Sequence, residues 1–137
     1  MRYILVNFSI FLFSFNVISC AKKSDSSSSS SVAGTYQLAT NDYANGVATD
    51  SSGNVYVTGG TKGGLDGNTS AGNTDLFIVK YSSSGTKQWT KQLGSSGRDS
   101  ANGVAPDSSG NVYVTGMTNG GLDGCKNAGI DDLFVVK

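Results

Sequence analysis

The densest run of oxygen donors in the sequence is Gly63-Gly64-Leu65-Asp66-Gly67-Asn68 through Gly72-Asn73-Thr74-Asp75. Asp66, Asn68 and Asn73 are hard donors of the type Ca²⁺ accepts. A second version, from Gly120 to Asp132, contributes Asp123, and Gly94-Ser95-Ser96-Gly97-Arg98-Asp99 adds Arg98 and Asp99. Asp66, Asn68, Asn73, Arg98, Asp99 and Asp123 are therefore the candidate binding residues, with Asp66 and Asn68 the weak calcium candidates. The alternating Asp-x-Asn-x-Asp ladder and bidentate Glu of a helix–loop–helix calcium site are missing. Asp-Gly and Asn-rich runs are also ordinary turn chemistry. The turn reading leads, and no resident metal is expected.

Other chemistry is thinly supplied. The chain has no His, and all ten of its acidic residues are Asp. The commonest general base and metal ligand is thereby absent. With no nucleophile–base pair to propose, neither an enzyme nor a bound cofactor is expected. Ten basic residues balance the ten acids. Without a net positive charge or a basic cluster, nucleic acid is not an expected partner. Trp89 offers a face for stacking on sugars, although a strand Trp more often packs. Cys125 replaces Asn68 in the second copy of the loop, either as a free thiol or as a link between two chains.

The other cysteine lies at the end of an apolar N-terminal run. Met1-Arg2 precedes an apolar stretch from Tyr3 to Ser19, then Cys20-Ala21-Lys22-Lys23. A short basic start followed by such a run reads as a secretory signal, residues 1–19. An uncleaved anchor is the alternative, since the run approaches the ~20 residues a span needs. Val17-Ile18-Ser19-Cys20 resembles the bacterial lipobox. That resemblance implies a lipidated Cys20 at the mature N-terminus and a membrane partner through that lipid. Residues 20–33 then form a Ser-rich linker whose composition is too polar to order itself. The implied location is the cell envelope, at the outer membrane or cell surface.

These candidate residues are positioned by a repeat. Ala44 through Gly59 returns as Ala101 through Gly116 with only Thr49 changed, to Pro106. The alignment runs without a gap from Ala44–Lys80 to Ala101–Lys137, a period of 57 residues. Four strands are expected in the first copy: Asn45–Thr49, Asn54–Thr58, Asp75–Tyr81 and Thr86–Leu93. Asp50-Ser51-Ser52-Gly53 and Ser82-Ser83-Ser84-Gly85 make the turns. Leu76-Phe77-Ile78-Val79 is continuously apolar, as in a strand covered on both faces. Lys87 and Lys91 suit the exposed edge of a sheet.

The blocks Gly-Val-Ala-x-Asp-x-x-Gly-Asn-Val-Tyr-Val-Thr-Gly (from Gly46), Asp-Leu-Phe-Ile-Val-Lys-Tyr (from Asp75) and Gln-Trp-Thr-Lys-Gln-Leu-Gly (from Gln88) are similar to the bacterial β-propeller repeat family labelled SBBP. The resemblance implies an all-β fold of four-stranded antiparallel blades. It also puts the second-to-third and fourth-to-first connections on one face, and a scaffold role rather than a shared chemistry. Residues 44–100 are the first blade, and 101–137 a second that stops before its last strand. Residues 34–43 are a leading strand of a partial blade, since Gln37-Leu38 echoes Gln92-Leu93. Two blades do not close a ring. A fragment of a longer lipoprotein, an open pair of sheets and a homo-oligomeric ring are the readings left open. The expected function is a surface interaction scaffold of unknown ligand, its partner a protein or further copies of the chain; a nonfunctional fragment is the alternative, and a quinoprotein-like or other enzyme comes third.

Overall fold

The computed structural model describes residues 41–137. The signal at 1–19, the lipidation of Cys20, the linker at 20–33 and most of the leading strand at 34–43 lie outside the described residues. Seven strands follow in order: β1 (Tyr43–Thr49), β2 (Val55–Thr61), β3 (Asp75–Tyr81), β4 (Lys87–Leu93), β5 (Asp99–Pro106), β6 (Val112–Thr118) and β7 (Asp132–Val136). They form two antiparallel meanders, β1-β2-β3-β4 and β5-β6-β7. The described residues contain no α-helix, only a single 3₁₀ turn at Leu122–Gly124.

The Asp-Ser-Ser-Gly turns are built identically in both sheets. Oδ1 of Asp50 accepts from the backbone N–H groups of Ser52 and Asn54, both at 2.9 Å. Its Oδ2 accepts from Asn54 Nδ2 and the Tyr56 hydroxyl. Asp107 repeats the set with Ser109, Asn111 and Tyr113. Hydrogen bonding, first from the Asn side chain four residues on, holds both carboxyls below the ordinary 3.8. Each carboxylate thus organises its hairpin from the inside.

The Ala-Asn-Gly triplet preceding each hairpin is a bulge, at Asn45 in β1 and Asn102 in β5. The bulge brings the Tyr43 carbonyl over β2, where a Cβ on Gly59 would stand 1.8 Å from it. Glycine is therefore required inside β2 by a close backbone approach. It does not end the strand, which runs to Thr61 rather than stopping at Thr58 as the sequence led us to expect. The extra residue also turns Asn45 toward the second sheet, where its Nδ2 donates to the Ala101 carbonyl at 2.9 Å.

Alternation along β3 divides the core between two faces. Leu76 and Ile78 face the second sheet and pack with Ala101, Val114, Phe134 and Leu122. Phe77, Val79 and Tyr81 occupy the opposite face under Leu65. Burial of each large side chain, such as Leu76 or Phe77, contributes about 2 kcal/mol. β5 lies against β1 and β2, so its sheet stacks on the Leu76 face of the first.

Candidate functional site: the loop end of the two sheets

Because both sheets are meanders, the long connections 62–74 and 119–131 share one end with the 94–98 link. Backbone bonds join them. Asn73 N–H donates to the Gly97 carbonyl at 3.1 Å, and Asp99 N–H to the Thr74 carbonyl at 2.7 Å. Asn119 N–H donates to the Arg98 carbonyl, while its side-chain Oδ1 accepts from Arg98 N–H at 2.5 Å. Segment 94–98 is the tie between the two loops.

The six candidate residues do not form one constellation. Asp66 takes positive φ in the turn from Leu65 to Asn68 and directs its carboxylate down the edge strand. There it meets Lys87 Nζ at 2.5 Å and accepts from Thr90 Oγ1 at 2.5 Å. The Lys87 contact, then Thr90, lowers its pKa. Asn68 donates from Nδ2 to the Leu65 carbonyl at 2.7 Å. Both calcium candidates are therefore turn and edge residues. Among the described residues no group of three or more acidic or thiol side chains could hold a metal ion.

Asp99 is displaced furthest from its expected place. It is fully buried, and its carboxylate accepts from Ser95 N–H at 2.6 Å, from Ser95 Oγ and from Thr118 Oγ1. These bonds close the 94–98 loop onto β6, and nothing of the carboxylate faces solvent. Asn73, Arg98 and Asp123 do remain exposed at the loop end. Asp123 lines an open groove of about 800 Å³ with Leu122, Lys126, Asp132 and the β7 strand.

Trp89 packs edge-on to Tyr56, ring centroids 6.2 Å apart, and lines an apolar cleft between the sheets with Ile78, Val112 and Val136. Cys125 is exposed and unpaired.

Sequence reasoning passed over Asp75 and Gln92. Asp75 is fully buried, and its Oδ2 accepts from Ala71 N–H at 2.8 Å and from Gln92 Nε2 at 2.7 Å. Gln92 also donates to the Gly63 carbonyl and accepts from Leu65 N–H. One amide on the edge strand thereby anchors the whole loop. The available signal was an acid opening an apolar strand in both copies, Asp75 and Asp132.

The loop is also where the copies diverge. Six of the nine differences across the aligned copies fall there: Lys62, Asn68, Thr69, Ser70, Asn73 and Thr74, against Asn119, Cys125, Lys126, Asn127, Ile130 and Asp131. A shared scaffold thus carries two different loop surfaces.

Residues 37–66 and 88–123 match the family model described as Beta-propeller repeat, SBBP. Each match ends at the Asp of the Leu-Asp-Gly turn, Asp66 or Asp123, and the second begins within β4, so the matched unit crosses from one sheet to the next. No curated protein matches the chain.

Proposed function

Since the chain belongs to the SBBP β-propeller repeat family, we propose that it is a cell-envelope lipoprotein whose propeller-type blades display the loop end as a binding scaffold for a protein partner. The observation that carries this reading is the concentration of the differences between copies in one loop, over strands that are almost unchanged. Binding surfaces sit on variable loops held by a rigid frame, and here the frame includes the 94–98 tie and the Gln92 anchor. The second copy presents Lys126, Ile130 and Asp131, all exposed, where the first has Thr69, Asn73 and Thr74. A cation, an anion and an apolar group exposed on one loop suit a protein surface better than a small metabolite. In this reading the chain catalyses nothing, and Cys20 carries the lipid that holds it to the membrane.

The test grafts the first loop onto the second: Lys126→Thr, Asn127→Ser, Ile130→Asn and Asp131→Thr together. Cross-linking in intact envelopes should give a partner band with the native chain that the graft loses. Equal bands, or none with either, contradict the scaffold reading. Lipid attachment is checked separately, by incorporation of a labelled fatty acid that Cys20→Ala abolishes.

A further inference from the structure

Asparagine followed by glycine occurs three times, at Asn45-Gly46, Asn102-Gly103 and Asn119-Gly120. In such a pair the glycine nitrogen can attack the side-chain amide carbon, because no Cβ hinders the approach. The product is a five-membered succinimide, whose closure forces the Asn backbone away from the extended conformation. The fold treats the three pairs differently.

Asn45 and Asn102 are the bulge residues of β1 and β5, with ladder-paired residues on either side. Ring closure at either would break that pairing. Nδ2 of Asn45, the group that would leave, also donates to the Ala101 carbonyl, Ser100 Oγ and Asn102 Oδ1. Both pairs are thus held by the strands and by the contact between the sheets.

Asn119-Gly120 lies just past Thr118, the last residue of β6. Its Oδ1 accepts from Arg98 N–H at 2.5 Å, so a donor already sits where negative charge develops during attack. Gly120 N–H donates to Thr118 Oγ1 at 3.1 Å. The Thr118 hydroxyl reaches both the Gly120 carbonyl and the buried Asp99 carboxylate, and the charged acceptor is the stronger. That path can take the proton the nucleophile must lose. Asn119 is exposed, and among the described residues no acceptor holds its Nδ2. A Cβ on Gly120 would stand 2.1 Å from Ser95 Oγ, so packing itself demands glycine after Asn119.

The first copy has the same turn, with Gly63 N–H donating to Thr61 Oγ1 at 3.1 Å. There the preceding residue is Lys62, and neither oxygen of Asp42, the counterpart of Asp99, takes a hydrogen bond. Amide and proton path occur together in the second copy.

We propose that Asn119 is a self-modification site, whose amide cyclises onto Gly120 N and then opens in water to aspartate or isoaspartate. The bond from Gly120 N to Asn119 Cγ forms as the nitrogen gives its proton to Thr118 Oγ1, whose own proton passes to Asp99. The Cγ–Nδ2 bond breaks, and the nitrogen leaves as ammonia after taking a proton from water. The hydroxide left behind is neutralised by the proton that Asp99 returns through Thr118. One further water adds across the imide. Either product places a carboxylate beside Arg98, and isoaspartate also inserts a methylene into the main chain at the root of the 119–131 loop. The chain changes itself once and turns over no substrate.

The test holds the full chain, in mild detergent and warm neutral buffer, and follows each Asn by tandem mass spectrometry. Asn119 should convert at least about tenfold faster than Asn45 or Asn102, and in urea the three rates should converge. Thr118→Val should slow Asn119 to the rate of Asn45, whereas Thr118→Ser should keep it fast. Unchanged rates at Asn45 and Asn102 report that the fold is intact in both variants. Lys62→Asn, at an exposed position, puts the amide on the copy without the proton path, and residue 62 should convert no faster than Asn45. Equal rates at the three sites of the folded chain overturn the proposal. So does an Asn119 slower than the other two, a preference that persists in urea, or a residue 62 that keeps pace with Asn119. These readouts need no partner, so they and the loop graft can fail separately.

Discussion

Gln92 donates from Nε2 to Oδ2 of the buried Asp75 at 2.7 Å, linking an edge strand to the first residue of its neighbour. The same amide holds Gly63 and Leu65 of the loop above. Edge strand, core strand and loop are thus coupled at one point. Removing a partner from a buried carboxylate costs more than an average hydrogen bond, because the charge keeps its desolvation penalty.

Gln92→Ala is therefore expected to destabilise the chain by about 2–3 kcal/mol, read as a lowered urea midpoint. Gln88→Ala, exposed on the same strand, should stay within about 0.5 kcal/mol.

Asp99→Ala removes the acceptor of Ser95 N–H, Ser95 Oγ and Thr118 Oγ1 inside the fold. A loss of about 3 kcal/mol is expected, since several buried donors lose their partner together. Arg98→Ala, on the exposed neighbour, should leave the urea midpoint nearly unchanged. The contrast separates the structural acid from the surface cation beside it.

Asp50, Asp66 and Asp107 all have folded pKa values below the ordinary 3.8. Groups depressed on folding contribute stability that is present above the unfolded value and lost as pH falls through the folded one. The melting temperature should therefore be level at neutral pH and drop below about pH 4. Asp50→Asn with Asp107→Asn should lower the neutral-pH melting temperature and flatten that drop. A native-like acid profile in the double variant would contradict the turn assignment.

Gly59→Ala places a Cβ against the Tyr43 carbonyl, a backbone atom that cannot rotate away. A cost of about 3 kcal/mol is expected from overpacking. Gly67→Ala has open space but positive φ, so only about 1 kcal/mol is expected. Paired urea titrations of the two variants check the order.

What the sequence made legible follows the range of the interactions. β3 has the bounds its apolar run suggested, Asp75–Tyr81, because continuous apolar residues flanked by Asp and Ser leave little choice. The Asp50 and Asp107 turns were equally readable, since their bonds span six residues or fewer. β1 and β2 both extend beyond the expected limits because the Asn45 bulge makes Gly59 and Gly60 strand residues. The loop acids were harder. Asp66 finds Thr90 across 24 positions, and Asp99 finds Thr118 across 19. Such partners are chosen by tertiary packing, and a composition that suits ligand binding suits them equally well.

The loop graft tests the central claim most directly, that the divergent loop at 119–131 is a binding surface carried on a shared frame. With Lys126→Thr, Asn127→Ser, Ile130→Asn and Asp131→Thr together, the cross-linked partner band should be lost while the urea midpoint stays. A band of equal strength with the graft, or no band with the native chain, would contradict the account.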